Sequence, residues 1–160
     1  MGLIFTLSFL LFSENNNYPI EGHCLNTRAI INKNPLNIRS SSVNKWVGEL
    51  PRKRDVEFEE FSSFEYGFRA AYILIKNYNK LYGDNSIERI VYRFSPPSEN
   101  RTENIISFLS REVDVDRRKP LSKNEYIKLI KVMAQIESGC EFNGDYIIKA
   151  INNYHNEHKK

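Results

Sequence analysis

From Phe64 onward the apolar positions recur at three- and four-residue intervals, a spacing that predicts a run of helices. Phe64, Phe68, Ala71, Tyr72, Ile75, Tyr78 and Tyr82 form one face of a first helix. Ser62 or Ser63 caps it and Gly83-Asp84-Asn85 ends it. Ser86 opens a short second helix carrying Ile87, Ile90, Val91 and Phe94, which Pro96-Pro97 stops. A third spans about Thr102 to Glu112, with Ile105, Phe108 and Leu109 inward. Ser122-Lys123-Asn124-Glu125 has the form of a capping box, in which each side chain satisfies the other residue's backbone donor. The fourth helix then runs through Leu129, Ile130, Met133 and Ile136 to Gly139, a natural stop. A last helix, roughly Asp145 to His155, carries Tyr146, Ile147, Ile148, Ala150 and Ile151.

The first third of the chain lacks that period. Residues 27 to 45 are rich in Asn and Ser, include Pro35, and read as an extended, turn-laden entry rather than a helix. Trp46-Val47-Gly48 and Val56 to Phe61 alternate loosely and predict a hairpin across Pro51 to Asp55, with Arg52-Lys53-Arg54 as a solvated loop. The fold class is therefore mainly α (α+β), with one small β-hairpin near the N-terminus, in a single domain over residues 27–160. Residues 1–26 read as an apolar and linker-like extension or a weak signal segment. The run Met1 to Phe12 is too short for a stable membrane span, and it lacks both a preceding basic residue and a small-residue cleavage site.

Composition narrows the chemistry mainly by exclusion. At 160 residues, 41% hydrophobic and 27% charged, the chain is of ordinary globular make-up. A net charge of +3 suits an anionic polymer such as cell-wall glycan, and a solvated surface explains it equally well. Nucleic-acid binding would rest on that mild basicity and Arg52-Lys53-Arg54 alone, so no nucleic-acid partner is expected. Cys24 and Cys140 either form one disulfide or remain two thiols, and two cysteines make no metal cluster. His23, His155 and His158 sit in the terminal regions, which disfavours a histidine triad or zinc site, and the 7 glycines form no phosphate loop. Neither a metal nor a cofactor is expected.

Five motifs remain: Asn32 to Arg39 with its Asn-Pro turn, Trp46-Val47-Gly48, Phe58 with Phe61, Gly67-Phe68-Arg69-Ala70-Ala71, and the turn Pro96-Pro97-Ser98-Glu99-Asn100-Arg101-Thr102. In this order they resemble a family of small phage and prophage proteins labelled virion structural proteins and related to lysozyme-like phage muramidases. The resemblance runs from about Thr27 to Gly139. It departs from the family pattern at Ile31, Lys33 and Phe94-Ser95, the last pair standing where Trp-Ala is typical. It implies a lysozyme-like helical domain acting on bacterial cell-wall peptidoglycan. The protein would be virion-associated or exported to the envelope, with other virion proteins as further partners and a cytoplasmic stage before lysis.

Cleavage of a glycan strand needs a carboxylic acid to protonate the leaving oxygen. One stretch has that form, Met133-Ala134-Gln135-Ile136-Glu137-Ser138-Gly139, where a helix closes on Glu-Ser-Gly as it does in lytic transglycosylases. Glu137 is the expected general acid, the alternative being a surface residue in a last turn. The order is unusual, because this helix comes after every other motif, and a circularly permuted domain accounts for it. Glu99, in the Pro-Pro turn, is the second catalytic candidate, with a helix-start charge as the alternative. Glu21 ranks third. Asn34, Asn37, Arg39 and Asn100 are candidate substrate-binding residues, although the two Asn side chains of the loop can instead satisfy its own backbone. Trp46 either stacks on a sugar or belongs to the core. The resulting expectation is a muramidase or lytic transglycosylase. The alternative is a non-catalytic virion structural or cell-wall-binding protein that kept the fold.

Overall fold

A computed structural model of the chain describes residues 18–22 and 24–157, with side chains as far as residue 153. The apolar run and linker of residues 1–17, His23 and His158 lie outside the described residues, as does the side chain of His155. The described chain is mainly helical with one small antiparallel β element. In order it forms β1 (Ile20–Glu21), α1 (Arg28–Ile31), α2 (Phe64–Tyr82), α3 (Ile87–Phe94), α4 (Thr102–Val113), α5 (Lys123–Ser138), β2 (Glu141–Phe142) and α6 (Gly144–Glu157).

The helix boundaries agree with their caps. Ser63 is the cap of α2, accepting from the Tyr66 N–H, and Gly83 closes the helix in the left-handed region at φ 70°. At α5 the capping box is complete, and Gly139 closes the helix at φ 71°. α2 packs chiefly on α6 and also on α5, while α4 bridges α3 and α5. Phe68, Ile75, Ile90, Leu109, Leu129, Ile130 and Ile147 are fully enclosed among them. The apolar pattern is corrected at four positions, two of which are Tyr82 at the end of α2 and Ile148 of α6, both exposed. Phe108 is exposed beneath the Arg111 guanidinium, and Ile106 takes the buried place on α4. Ile136 is likewise exposed, because the inner stripe of α5 runs through Leu129, Ile130, Met133 and Ala134.

The β pairing joins Ile20 to Phe142 and Glu21 to Glu141. Residues 46–61, expected to be a hairpin, contribute instead two isolated antiparallel bridges, Arg39 with Phe58 and Glu49 with Phe61. A regular ladder does not form because residues 51–55 fold over two buried acids. Glu59 pairs with Lys53 and accepts from the Ser41 N–H. Glu60 accepts from the Arg54 and Asp55 N–H groups and pairs with the Arg54 guanidinium at 3.3 Å. The basic run is thus pinned in part, which corrects its reading as a freely solvated loop.

Two glycines of the motifs are contact points. A Cβ at Gly67 would lie 2.1 Å from the Lys33 carbonyl oxygen and 2.7 Å from Pro35 Cδ, so only glycine lets α2 press on the Asn-Pro turn. A Cβ at Gly48, at φ 79°, would strike the Tyr66 ring. The three motifs at residues 32–39, 46–48 and 65–71 are therefore one interlocked unit.

Candidate functional site

The Asn-Pro loop begins with α1, a single helical turn where no helix was expected. Asn34, fully buried, organises the turn that leads to Ile38. Its Nδ2 donates to the Ile38 and Glu59 carbonyls at 3.0 and 2.9 Å, and its Oδ1 accepts from the Ile38 N–H at 2.9 Å. With all three bonds spent on backbone, Asn34 does not line a cleft. The expectation of a substrate-binding amide there is corrected to a loop-holding one. The same turn puts Lys33 and Asn37 in the left-handed region, at φ 49° and 46°. Asparagine tolerates that conformation better than most residues do. Its consequence at Asn37 is to aim the side chain away from the loop.

Asn37 reaches Glu137. Its Nδ2 donates to Glu137 Oε2 at 3.0 Å, across 100 residues of sequence. Its Oδ1 is buried without a hydrogen-bond partner among the described residues. Glu137 occupies the last turn of α5, half-buried, and borders a small cavity of about 10 Å3 lined by Val91, Phe94, Ser95, Ile105, Met133 and Ile136. Burial against these apolar groups pushes the Glu137 carboxyl above its ordinary value, and the Asn37 amide offsets part of that rise. The negative end of the α5 dipole acts in the same direction as the burial.

The Pro-Pro turn meets the same loop. Arg39 Nη2 lies 3.5 Å from Glu99 Oε2, with both side chains largely in water. Ser95, which begins the turn, shares the Glu137 cavity. The loop of residues 37–39 thus makes two separate contacts, Asn37 with Glu137 at the end of α5 and Arg39 with Glu99 of the Pro-Pro turn. Asn100 is exposed on the turn and folds its own N–H onto the Pro96 carbonyl at 3.1 Å. Glu21 stands in β1 opposite Glu141, in the ladder beyond the end of α5.

Trp46 is placed apart from these contacts. It packs on the core half-buried, and with Asn44, Lys45, Arg69, Ile73 and Asn77 it borders a separate depression of about 310 Å3. The two cavities share no residue. No group of three or more metal-ligating side chains occurs among the described residues, and no described helix is long and apolar enough to cross a membrane.

Of this neighbourhood, sequence reasoning missed one part and left a second open. One is the set of apolar residues from α3 and α4 around the Glu137 carboxyl, for which a single chain carries no signal. The other is the join behind Glu137. Cys24 and Cys140 form a disulfide with Cα atoms 5.4 Å apart, settling the two readings of that pair.

The protein is thus a small, mainly helical domain in which an asparagine from a tight polar loop holds a half-buried glutamate at a helix end. It is 37% identical over 114 residues to "Protein P5" of Pseudoalteromonas phage PM2, a match covering 70% of this chain and 71% of that protein. The chain belongs to the family of that phage protein. No protein-family profile matches it.

Proposed function

We propose that this protein cleaves the glycan strands of peptidoglycan, with Glu137 as the general acid. The observation that carries the reading is the state of that carboxyl: half-buried against apolar groups, raised above its ordinary value by that burial, and held by Asn37. A glutamate whose burial favours its protonated form can donate to the glycosidic oxygen as the C1–O bond breaks and the sugar becomes oxocarbenium-like. The carboxylate left behind then takes a proton from the attacking hydroxyl. Water as the attacker makes the enzyme a muramidase, and the C6 hydroxyl of the same sugar makes it a lytic transglycosylase.

Glu99, ion-paired with Arg39, is suited to stabilise positive charge rather than to donate a proton. Arg39 and Asn100 present exposed donors for sugar hydroxyls, acetamides or peptide carboxylates. A lysozyme-like domain with its acid-bearing helix moved to the end of the chain accounts for the order of these parts. Kinship with a phage protein supports association with the virion or delivery to the cell envelope.

The same kinship is equally compatible with a second reading, a non-catalytic virion structural or wall-binding component. Zymography on purified peptidoglycan separates the two. Wild type clears the gel and Glu137→Gln does not. Clearing by Glu137→Gln would move the acid to Glu99 or Glu21, and no clearing by wild type would favour the structural component.

A further inference from the structure

We infer that the Cys24–Cys140 disulfide and Thr27 are positioning residues for Glu137, so that the acid is set against Asn37 only in the oxidised protein. The inference rests on the reading of Glu137 as the acid. Its basis is the number of independent ties that converge just behind that residue. Cys140 lies three positions after Glu137, beyond the α5 stop at Gly139. The disulfide fastens it to a segment 116 residues away. Thr27 precedes α1 but makes no capping bond there; its hydroxyl donates instead to the Ser138 carbonyl at 3.0 Å. The Ser138 hydroxyl donates to the Ala134 carbonyl at 2.6 Å and accepts from the Cys140 N–H at 3.0 Å, joining the last turn of α5 to the disulfide. Past it, Glu141 and Phe142 pair with Glu21 and Ile20, and the Asn143 N–H donates to the Pro19 carbonyl at 2.9 Å.

The two sides of the Glu137–Asn37 contact are therefore coupled through one short segment. Thr27 and Cys24 lie directly before α1, and α1 leads into the loop that carries Asn37. The same residues grip α5 on either side of Gly139. Opening the disulfide removes the one covalent tie at this point and leaves the last turn of α5 attached to the Asn37 side by Thr27, the short β pair and the packing of α1 on α5. A dithiol supplies the two electrons and two protons that convert the disulfide to two thiols, and is itself oxidised to a cyclic disulfide. A reducing cytosol would hold the protein in that open form, and the acid would be set after release from it.

The test is titration of the Glu137 carboxyl by 13C NMR in the full chain. It compares oxidised wild type, wild type held in dithiothreitol, Cys24→Ser/Cys140→Ser and Thr27→Val, each below its melting temperature. Peptidoglycan clearing is measured in parallel. In the two open forms the expected result is a Glu137 titration displaced from that of the oxidised protein, down toward an ordinary glutamate where the last turn leaves its apolar surround and up where the Asn37 amide alone is lost. Clearing is expected to fall on the order of a hundredfold, the usual scale for a misplaced reacting group. Thr27→Val, which keeps the shape and loses the hydroxyl, moves both readouts the same way by less. A Glu137 titration identical in oxidised and open forms overturns the inference, whatever the clearing does. A titration that shifts with the disulfide in a protein that never clears peptidoglycan upholds the positioning and removes the enzyme reading.

Discussion

Asn37 and Glu137 are tied by a 3.0 Å hydrogen bond from an amide in the left-handed region to a half-buried carboxyl at a helix end. Among the described residues only one end of the amide is answered, because Asn37 Oδ1 is buried without a partner. A buried acceptor left without a hydrogen bond costs about 1–3 kcal/mol.

Asn37→Gly isolates the role of that amide. Glycine occupies φ 46° without strain, so the loop survives while the amide is lost. The amide holds the Glu137 carboxyl down against its burial, so in this variant the carboxyl titrates higher than in wild type. Clearing of peptidoglycan falls while the melting temperature changes little. A downward move of the Glu137 titration, measured by 13C NMR, would show that Asn37 does not act on the acid.

Glu137→Gln separates catalysis from stability. Removing a general acid lowers a rate by about 10²–10⁴-fold. The stability effect has the opposite sign and depends on pH. Burial raises the Glu137 carboxyl in the folded state, so its contribution to stability is complete below the unfolded value and is lost as pH rises through the folded one. Glutamine does not ionise. The variant should be more stable than wild type at pH 8 and close to it at pH 4, measured by urea midpoints. Equal differences at both pH values would mean that the carboxyl is not held above its ordinary range.

The helices and their ends were legible in the chain because local chemistry decides them. The Ser122–Glu125 box, the Gly83 and Gly139 stops and the Pro96-Pro97 break each act within one turn. The pairing of Glu137 with the Asn-Pro loop was legible only through the motif resemblance, since nothing near Glu137 in sequence points to Asn37. What stayed hidden depends on distant partners. Asn34 and Asn37 are the same residue type three positions apart, yet one is consumed by its own loop and the other is turned outward by a positive φ. Nothing next to Glu59-Glu60 in the chain marks the two acids as buried. Burial pushes the Glu60 carboxyl up, but the Asp55 and Arg54 N–H groups and the Arg54 guanidinium outweigh it and hold the carboxyl below its ordinary value. The join of β1 to β2 drew on two residues at each end of the domain, too little for any period to register.

Gly67→Ala tests whether the interlocked motifs shape the site. The added methyl meets the Lys33 carbonyl and Pro35, both held by the tight turn, so relief requires the loop to move away from α2. Overpacking of this kind costs about 1–3 kcal/mol. Because that loop carries Asn37, activity should fall together with stability, and the Asn37 side-chain amide resonances should shift. A destabilised variant with unchanged amide resonances would confine Gly67 to packing.

Glu125 gives the acid limit of the fold. Its carboxylate accepts the Ser122 N–H at 2.6 Å in the capping box, and that bond with the Lys119 ammonium draws its pKa down to about 2. A group with a depressed folded pKa contributes stability that is present above its unfolded value and lost as pH falls toward the folded one. Between pH 5 and pH 2 the start of α5 should therefore loosen as Glu125 takes up its proton. Glu125→Gln keeps a side chain able to accept the Ser122 N–H but cannot titrate, so the slope of urea midpoint against pH over that window should flatten relative to wild type. An unchanged slope would place the acid sensitivity in other carboxylates, Asp55 and Glu103 among them, which hydrogen bonds from Asn32 and Tyr92 also hold below their ordinary values.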